Sequence, residues 1–583
     1  MKIDRARACT EAGFAVLTAG LASPVFAGAH APLQDLPQHI AAVSVLRRLL
    51  TGGSLDAIFE ATLSRTQYLL VYVLGVPLSF VAGAEGSLRL LAALTLVAIP
   101  YAMRFALRRT GSDERLAALT WPLLWNPQFF LGFLNLMIGV PLALVAIGLF
   151  APVQTRARRS VQISLAVLAL GTFYAHLIPF GVLGLGVLAL VRVPRRATLR
   201  ADLAVAAREL AFLGPALLAA VVWVLRTPAA DAAVRAGGIG TGPRAEWPVV
   251  ASLARDLSGT LLDVPGDRDE RLLLAWGLGV LAAVALASGD RSGDDGPRAA
   301  RWPLAAAALF AGAYVLRHRT FAALWGPELP PEETWGEIAF RGAMLASAGA
   351  FVGAARWPTA DSSTPFPAAP SVAWVPLACA LLYLVTPTSY GWIWPIHTRF
   401  ALVGALLVPL WIPRRSLGRG GWLLVAAMGL ASLGLAVDLR HRFVEWNASE
   451  LGDLDEALAH ALPGRRLVAI LAPTASTWVP NVPTLHAAAY YQARGGAVAT
   501  FSFADFPQSP FRYREGPARP PRLAPRWEWT SSLASADPGR SYYDYVLVRR
   551  GAIDEPARDP TAYRTVYAGR DWVLYERIEE VIP

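Results

Sequence analysis

Apolar stretches close to 20 residues long recur along most of this 583-residue chain, and no other feature restricts its folding as severely. A helix needs about 20 consecutive, mainly apolar residues to cross the hydrocarbon of a bilayer. Stretches that meet or approach this length run over 11–29, over 88–107, and over 116–150 and 161–193 as two hairpins. They continue over 206–226, 271–288, 302–316, 338–355, 372–388, 400–413 and 420–437. With each hairpin counted as two crossings, they predict about thirteen helices. Hydrophobic residues make up 55% of the chain and charged residues 16%, which is too apolar for one soluble core of this length. The expected fold class is mainly α: a polytopic transmembrane helical bundle with a small C-terminal α/β domain outside the cytoplasm.

Arginines orient the bundle, because positive residues in short loops favour the cytoplasmic side. Lys2, Arg5 and Arg7 place the start inside. Arg108 with Arg109, Arg156 with Arg158 and Arg159, Arg195 with Arg196, Arg291 with Arg298, and Arg414 with Arg415 all fall inside under one count, provided that 66–83 (TQYLLVYVLGVPLSFVAG) does not cross. That segment then reads as re-entrant or interfacial, and everything after about 438 lies outside. The opening MKIDRARACTEAGFAVLTAGLASPVFAGA also fits a cleavable signal peptide, and under either reading the loop that follows emerges outside. The formal net charge of +10 is no nucleic-acid footprint: from Arg440 onward 17 arginines face 17 acidic residues, so the excess lies among the apolar segments. Lys2 is the only lysine, a codon habit that suits a bacterium and, with the topology, its inner membrane. Cys9 and Cys379 lie at or within apolar stretches and support neither a disulfide framework nor a cysteine metal site.

Two domains are expected, 1–438 in the membrane with a first outer loop over 30–65, and 439–583 in the periplasm. In the second, RLVAIL (466–471), AVATFS (497–502), YDYVLVR (543–549) and WVLYER (572–577) read as strands, with a helical run, TLHAAAYYQAR, between the first two. A β-α-β start follows. Residues 506–540, rich in Pro and Arg, read as irregular. The stretch AGGIGTGP within 227–270 has no strand leading into it and reads as a loop. Glu328, Glu332, Glu333 and Glu337 read as a solvated acidic loop. Asn447-Ala448-Ser449 is a glycosylation sequon that matters only in a eukaryotic secretory host.

Chemistry concentrates in three places. The first outer loop carries AGAHAPLQDLPQHIAAVSVLRRLL, in which apolar residues at 36, 40, 43, 46 and 50 predict an amphipathic helix along the outer membrane surface. Pro37 suits its first turn, Asp35 falls at its amino end, and His39 follows on the same face. Asp35 is then either a cap, with His39 an interfacial residue, or the two share a chemical task. In TSYGWIWPIHTRFALVG (388–404), Trp392 and Trp394 mark an interface belt, and His397 and Arg399 sit where the next helix enters from outside. Arg399 is there either a phosphate ligand or an anchor snorkelling to the surface. His176, in GTFYAHLIPF, lies at the outer bend of a hairpin, as a site residue or as the cap of a broken helix.

An initial transmembrane helix, an outer loop holding an acid with a histidine four residues on, an amphipathic helix, then about a dozen spans and a soluble outer domain: this layout resembles the GT-C membrane glycosyltransferases. The resemblance implies a polyprenyl-phosphate-linked sugar as donor and a glycan or lipid acceptor, with the membrane as partner and no nucleic acid. It also implies that Asp35 acts at the acceptor. Such a reaction needs a carboxylate base and a cationic group for the leaving phosphate. Asp35 would be the base and His39 would orient it or share the proton, while Arg399, His397, Trp394 and His176 would form the donor-phosphate site. The chain departs from the pattern at its second outer loop, WNPQFFLGFLN (125–135), which has no acid and offers only Asn126 and Asn135. No cofactor is expected and a divalent metal is not supported. Two rival functions stand beside this one: a lipid-linked substrate transporter or flippase, which needs polar residues near mid-bilayer, and a catalytically inactive scaffold of the same fold.

Overall fold

The structure is a computed structural model that describes residues 5–152, 158–191, 199–226, 245–246, 261, 268–288, 372, 374–390, 393–412, 417–472, 475–506, 508–521, 529, 542–552, 556 and 559–578. The stretches 302–316 and 338–355, the glycine-rich and acidic loops and Trp392 lie outside the described residues.

Apolar helices pack into one bundle: α1 (Arg5–Ala22), α3 (Leu70–Thr110), α4 (Leu134–Phe150), α5 (Arg159–Ala175), α6 (Leu177–Leu190), α7 (Gly214–Arg226), α8 (Arg268–Ser288), α9 (Trp374–Val385), α10 (His397–Trp411) and α11 (Gly420–Trp446), with α2 (Leu36–Leu50) docked at one end. Among the described residues, three helices, Ala8–Phe26, Leu70–Thr110 and Gly420–Leu451, are long and apolar enough to cross a membrane. Ion pairs and arginine hydrogen bonds mark one end of the bundle. There Arg104 binds Glu11 at 2.7 Å and Glu114 at 3.2 Å, Asp113 accepts from the Leu417 N–H, and Arg109 reaches the Gly148 carbonyl. The opposite end carries the first loop, the His176 bend and the C-terminal domain.

The hairpin expected over 161–193 is present, as α5 and α6 broken at His176. Over 116–150 the course is right but the first arm is not an α-helix. Glu114–Leu123 is a 3-10 helix, interrupted by Pro122 and followed by a short helix, Pro127–Phe130, started by Pro127. It runs from the Arg104–Glu114 end to the loop that touches Asp35. Such backbone is tolerated at membrane depth only when protein encloses it, and every residue from Leu116 to Leu131 is buried.

The segment 66–83 has both ends at the same end of the bundle. Leu69 donates to the Tyr174 carbonyl beside the His176 bend, and Glu85, just past the segment, bonds His30 of the first loop. α3 breaks at Gly83 (φ 70°, ψ 169°), a conformation that suits glycine. The arm before the break, Leu70 to Ala82, is about 20 Å long at 1.5 Å per residue, short of the ~30 Å hydrocarbon core. That arm is too short to span by itself, and the stretch of α3 beyond Gly83 is the part long enough to do so.

The C-terminal domain holds a five-stranded sheet in the order β3-β2-β5-β7-β6, with β2 Arg466–Ile470, β3 Val498–Ala499, β5 Tyr545–Arg549, β6 Tyr563–Ala568 and β7 Trp572–Arg577. The two neighbours of β2 run parallel to it and the β5-β7-β6 pairs are antiparallel, so the expected β-α-β start is present. α11 runs past the expected boundary at 438 and continues to Trp446. One strand of the first loop, β1 (Phe59–Ala61), pairs antiparallel with β4 (Phe511–Tyr513) of this domain. Asn447 holds His30 from both sides, accepting its N–H at 2.9 Å and donating to its carbonyl at 2.9 Å, so the sequon asparagine is spent on this clasp.

The helix α2 has the bounds that its periodicity predicts, but most of its length is enclosed by protein. It is buried from Leu36 to Leu46, because its polar side chains bind the C-terminal domain. Gln38 bridges the Phe501 carbonyl and the Phe503 N–H, Ser44 donates to the Ala493 carbonyl at 2.8 Å, and Arg48 donates to that of Gln492 at 2.7 Å.

Candidate functional site

Between α2, the His176 bend, the start of α10 and the C-terminal domain lies a cavity of about 320 Å³, within the usual range for small-ligand sites. Asp35, His39, His176, Trp394 and Arg399 all line it. Five sequence candidates from three separate segments thus meet around one space. His397 does not line it: the ring is buried and stacks on Tyr383, centroids 5.4 Å apart. The reason is helical geometry, since residues two apart on α10 face different directions.

Asp35 sits before the first turn of α2, but its side chain makes no capping hydrogen bond. Its backbone is taken up elsewhere, with the Asp35 N–H donating to Leu131 and the Gln34 N–H to Phe130. The turn at Gly132 (φ 85°) makes this approach possible, because a Cβ there would lie 2.9 Å from the Asp35 nitrogen. The carboxylate, about one-fifth exposed, lies 3.3 Å from Nε2 of His486, a buried residue of the C-terminal domain whose ring stacks on Phe501 at 4.7 Å.

The nearest imidazole to this carboxylate is therefore His486 and not His39. His39 Nδ1 is 2.7 Å from the Tyr72 hydroxyl, and burial, only partly opposed by the charge of Asp35, pushes its pKa down to about 4. It is neutral at physiological pH. Nothing in the local sequence signals His486, which follows Pro483 in an ordinary-looking turn.

Across the cavity Arg399 is buried, with its guanidinium 4.5 Å from the Phe133 ring. It donates to the Trp394 carbonyl at 3.0 Å and bonds the Tyr68 hydroxyl. Among the described residues it has no carboxylate partner, and its Nε has no hydrogen bond. His176 does cap α6: Nδ1 accepts the Ile178 N–H at 3.1 Å. A neutral ring that accepts at Nδ1 carries its proton on Nε2, and that atom lies 3.1 Å from the Arg399 guanidinium. Two donors therefore face one another, an arrangement that an oxyanion relieves more strongly than a neutral acceptor does.

Asn135 reaches the cavity and accepts from the Val71 N–H at 3.4 Å. Asn126 is fully buried and caps the short helix at Phe129, which accounts for it structurally. Leu131, Phe133, Leu136, Phe501 and Phe503 supply apolar walls.

No protein-family model and no curated protein matches the chain. Solved structures do. The chain is similar to ArnT from Cupriavidus metallidurans bound to undecaprenyl phosphate, at 14% identity and a TM-score of 0.46, over 99% of this chain and 99% of that one. It is also similar to the same organism's ArnT in the apo state, at 14% identity and a TM-score of 0.42, over 93% of each chain.

Proposed function

We propose that this cavity transfers a sugar from a polyprenyl-phosphate-linked donor to a hydroxyl of a glycan or lipid acceptor, at the outer face of a bacterial inner membrane. One observation carries the reading: a carboxylate released from capping duty and a buried arginine that, among the described residues, has no carboxylate partner face the same apolar-walled cavity. Asp35 takes the acceptor's proton, the acceptor oxygen bonds the sugar's anomeric carbon, and the carbon–oxygen bond to phosphate breaks. Its electron pair leaves with the polyprenyl phosphate, which Arg399, the Nε2–H of His176 and the Tyr68 hydroxyl hold. His486 orients Asp35, while His39 holds Tyr72 in place as a neutral ring. His397 is left out of the donor site.

The test is Asp35→Asn in purified protein with a polyprenyl-phosphate sugar. Asn keeps the shape but cannot accept a proton, so transfer should fall by about two orders of magnitude or more at an unchanged melting temperature. Full activity in the variant, or none in the parent with any polyprenyl-linked sugar, would leave a scaffold or a transporter as the better reading.

A further inference from the structure

A second cavity, of about 410 Å³, opens where α2 meets the Gly83 break and the C-terminal domain. Arg47, Arg48 and Arg494 line it, with Ser44, Tyr490 and Glu85. Twelve residues of α2 separate Arg47 from Asp35, about 18 Å along the helix axis, so this space is distinct from the first cavity.

The charge around it does not cancel internally. Among the described residues, neither Arg47 nor Arg48 has a carboxylate within ion-pair reach. Arg47 donates to the Ser79 carbonyl at 2.9 Å, and Arg48 donates to the carbonyls of Gln492 and Gly496. The Arg48 Nε is buried and unpartnered. Among the described residues Glu85 is the one carboxylate on the lining, and it is engaged by His30 at 2.8 Å and lies 3.9 Å from Arg89. Arg494 binds Asp455 at 2.5 Å. Burial, and then the neighbouring charge of Arg47, press down the basicity of Arg48, a strain that a bound anion relieves.

Beside these guanidinium groups the surface is apolar and uncovered. Phe80 is 60% exposed and Val81 92% exposed, both on the arm that ends at Gly83, and Leu50 at the end of α2 is exposed as well. Basic groups flanked by exposed aromatic and aliphatic side chains match the depth at which a lipid's phosphate meets its acyl chains.

We propose that this cavity binds the phosphate of an anionic lipid headgroup, held by Arg47, Arg48 and Arg494 with its acyl chains along Phe80 and Val81. This inference is independent of the transfer reading: it requires only that this end of the bundle meets the bilayer surface. By holding α2 to the Gly83 break and to the helix around Tyr490, the lipid braces the clasp between bundle and domain.

The test is thermal melting of the full-length protein in neutral detergent, titrated with short-chain phosphatidic acid. The parent should show saturable stabilisation. Arg47→Gln with Arg494→Gln should melt close to the parent without lipid and require about tenfold more lipid for the same shift, the scale of losing charge-assisted contacts. Ala493→Glu, which keeps all three arginines and places a carboxylate at the rim, should give the same loss and covers the case in which the double variant does not fold. Unchanged lipid dependence in Ala493→Glu would overturn the site. Equal stabilisation by inorganic phosphate at matched concentration would overturn the lipid and leave a soluble phosphate site.

Discussion

Asp35 occupies the position before the first turn of α2, where an acid ordinarily accepts a backbone N–H, yet its carboxylate makes no such bond. The spacing of Asp35 and His39 suggested a working pair, and both do reach the cavity, but the imidazole closest to the carboxylate comes from His486. Local periodicity could place His39 on the face of Asp35; it carried no information about a residue delivered by another domain. His30 makes the same point. It binds Glu85 at 2.8 Å and Asp455 at 2.9 Å. Burial opposes its charge, but these hydrogen bonds outweigh burial and raise its pKa to about 9. Because the folded pKa lies above the unfolded value, its stabilisation is complete below about pH 6.5 and is lost as the pH rises through about 9. The parent should therefore lose about 3 kcal/mol between those limits, read as a falling melting temperature. His30→Gln should melt lower at pH 6.5 and show a flatter profile; an identical slope in the variant would remove His30 as the cause.

At the level of elements, the apolar stretches located most of the helices, and the exceptions follow from proline, glycine and enclosure. Pro122 and Pro127 interrupt the crossing at 113–131, and packing on all sides lets a 3-10 helix stand where an α-helix was expected. Gly83 ends the short arm of α3, leaving 66–83 with both ends at one end of the bundle. Gly132 joins two loops that hydropathy treats as unrelated. Its positive φ and its contact with the Asp35 backbone leave no room for a Cβ. Gly132→Ala should cost about 1–3 kcal/mol of stability and displace Asp35, so that activity falls more steeply than melting temperature. Retained activity in a folded variant would show that the loop tolerates the shift.

Across the whole molecule, the C-terminal domain is a wall of the cavity rather than an accessory: His486, Phe501 and Phe503 line it, and β4 pairs with β1 of the first loop. Residues 60 and 512 are directly opposed in that pair, at a Cα separation of about 4.5–5.5 Å, within reach of a disulfide. Glu60→Cys with Arg512→Cys should therefore oxidise spontaneously in bacterial cells if this end faces the periplasm, visible as a mobility shift that reductant reverses and neither single variant shows. A reduced pair in cells that oxidises only after lysis would place the domain in the cytoplasm and invert the orientation. Removing the domain from about residue 447 should abolish transfer, since the cavity then lacks the wall that holds Asp35. The helical class, the course of most of the described helices, α2 and the strands of the C-terminal domain followed from sequence alone, because hydropathy and periodicity are properties of neighbouring residues. Which side chains share a cavity, that α2 is enclosed rather than interfacial, that His397 turns away and that His486 turns in, were decided by tertiary structure, because each depends on contacts between segments hundreds of residues apart, which no local pattern encodes.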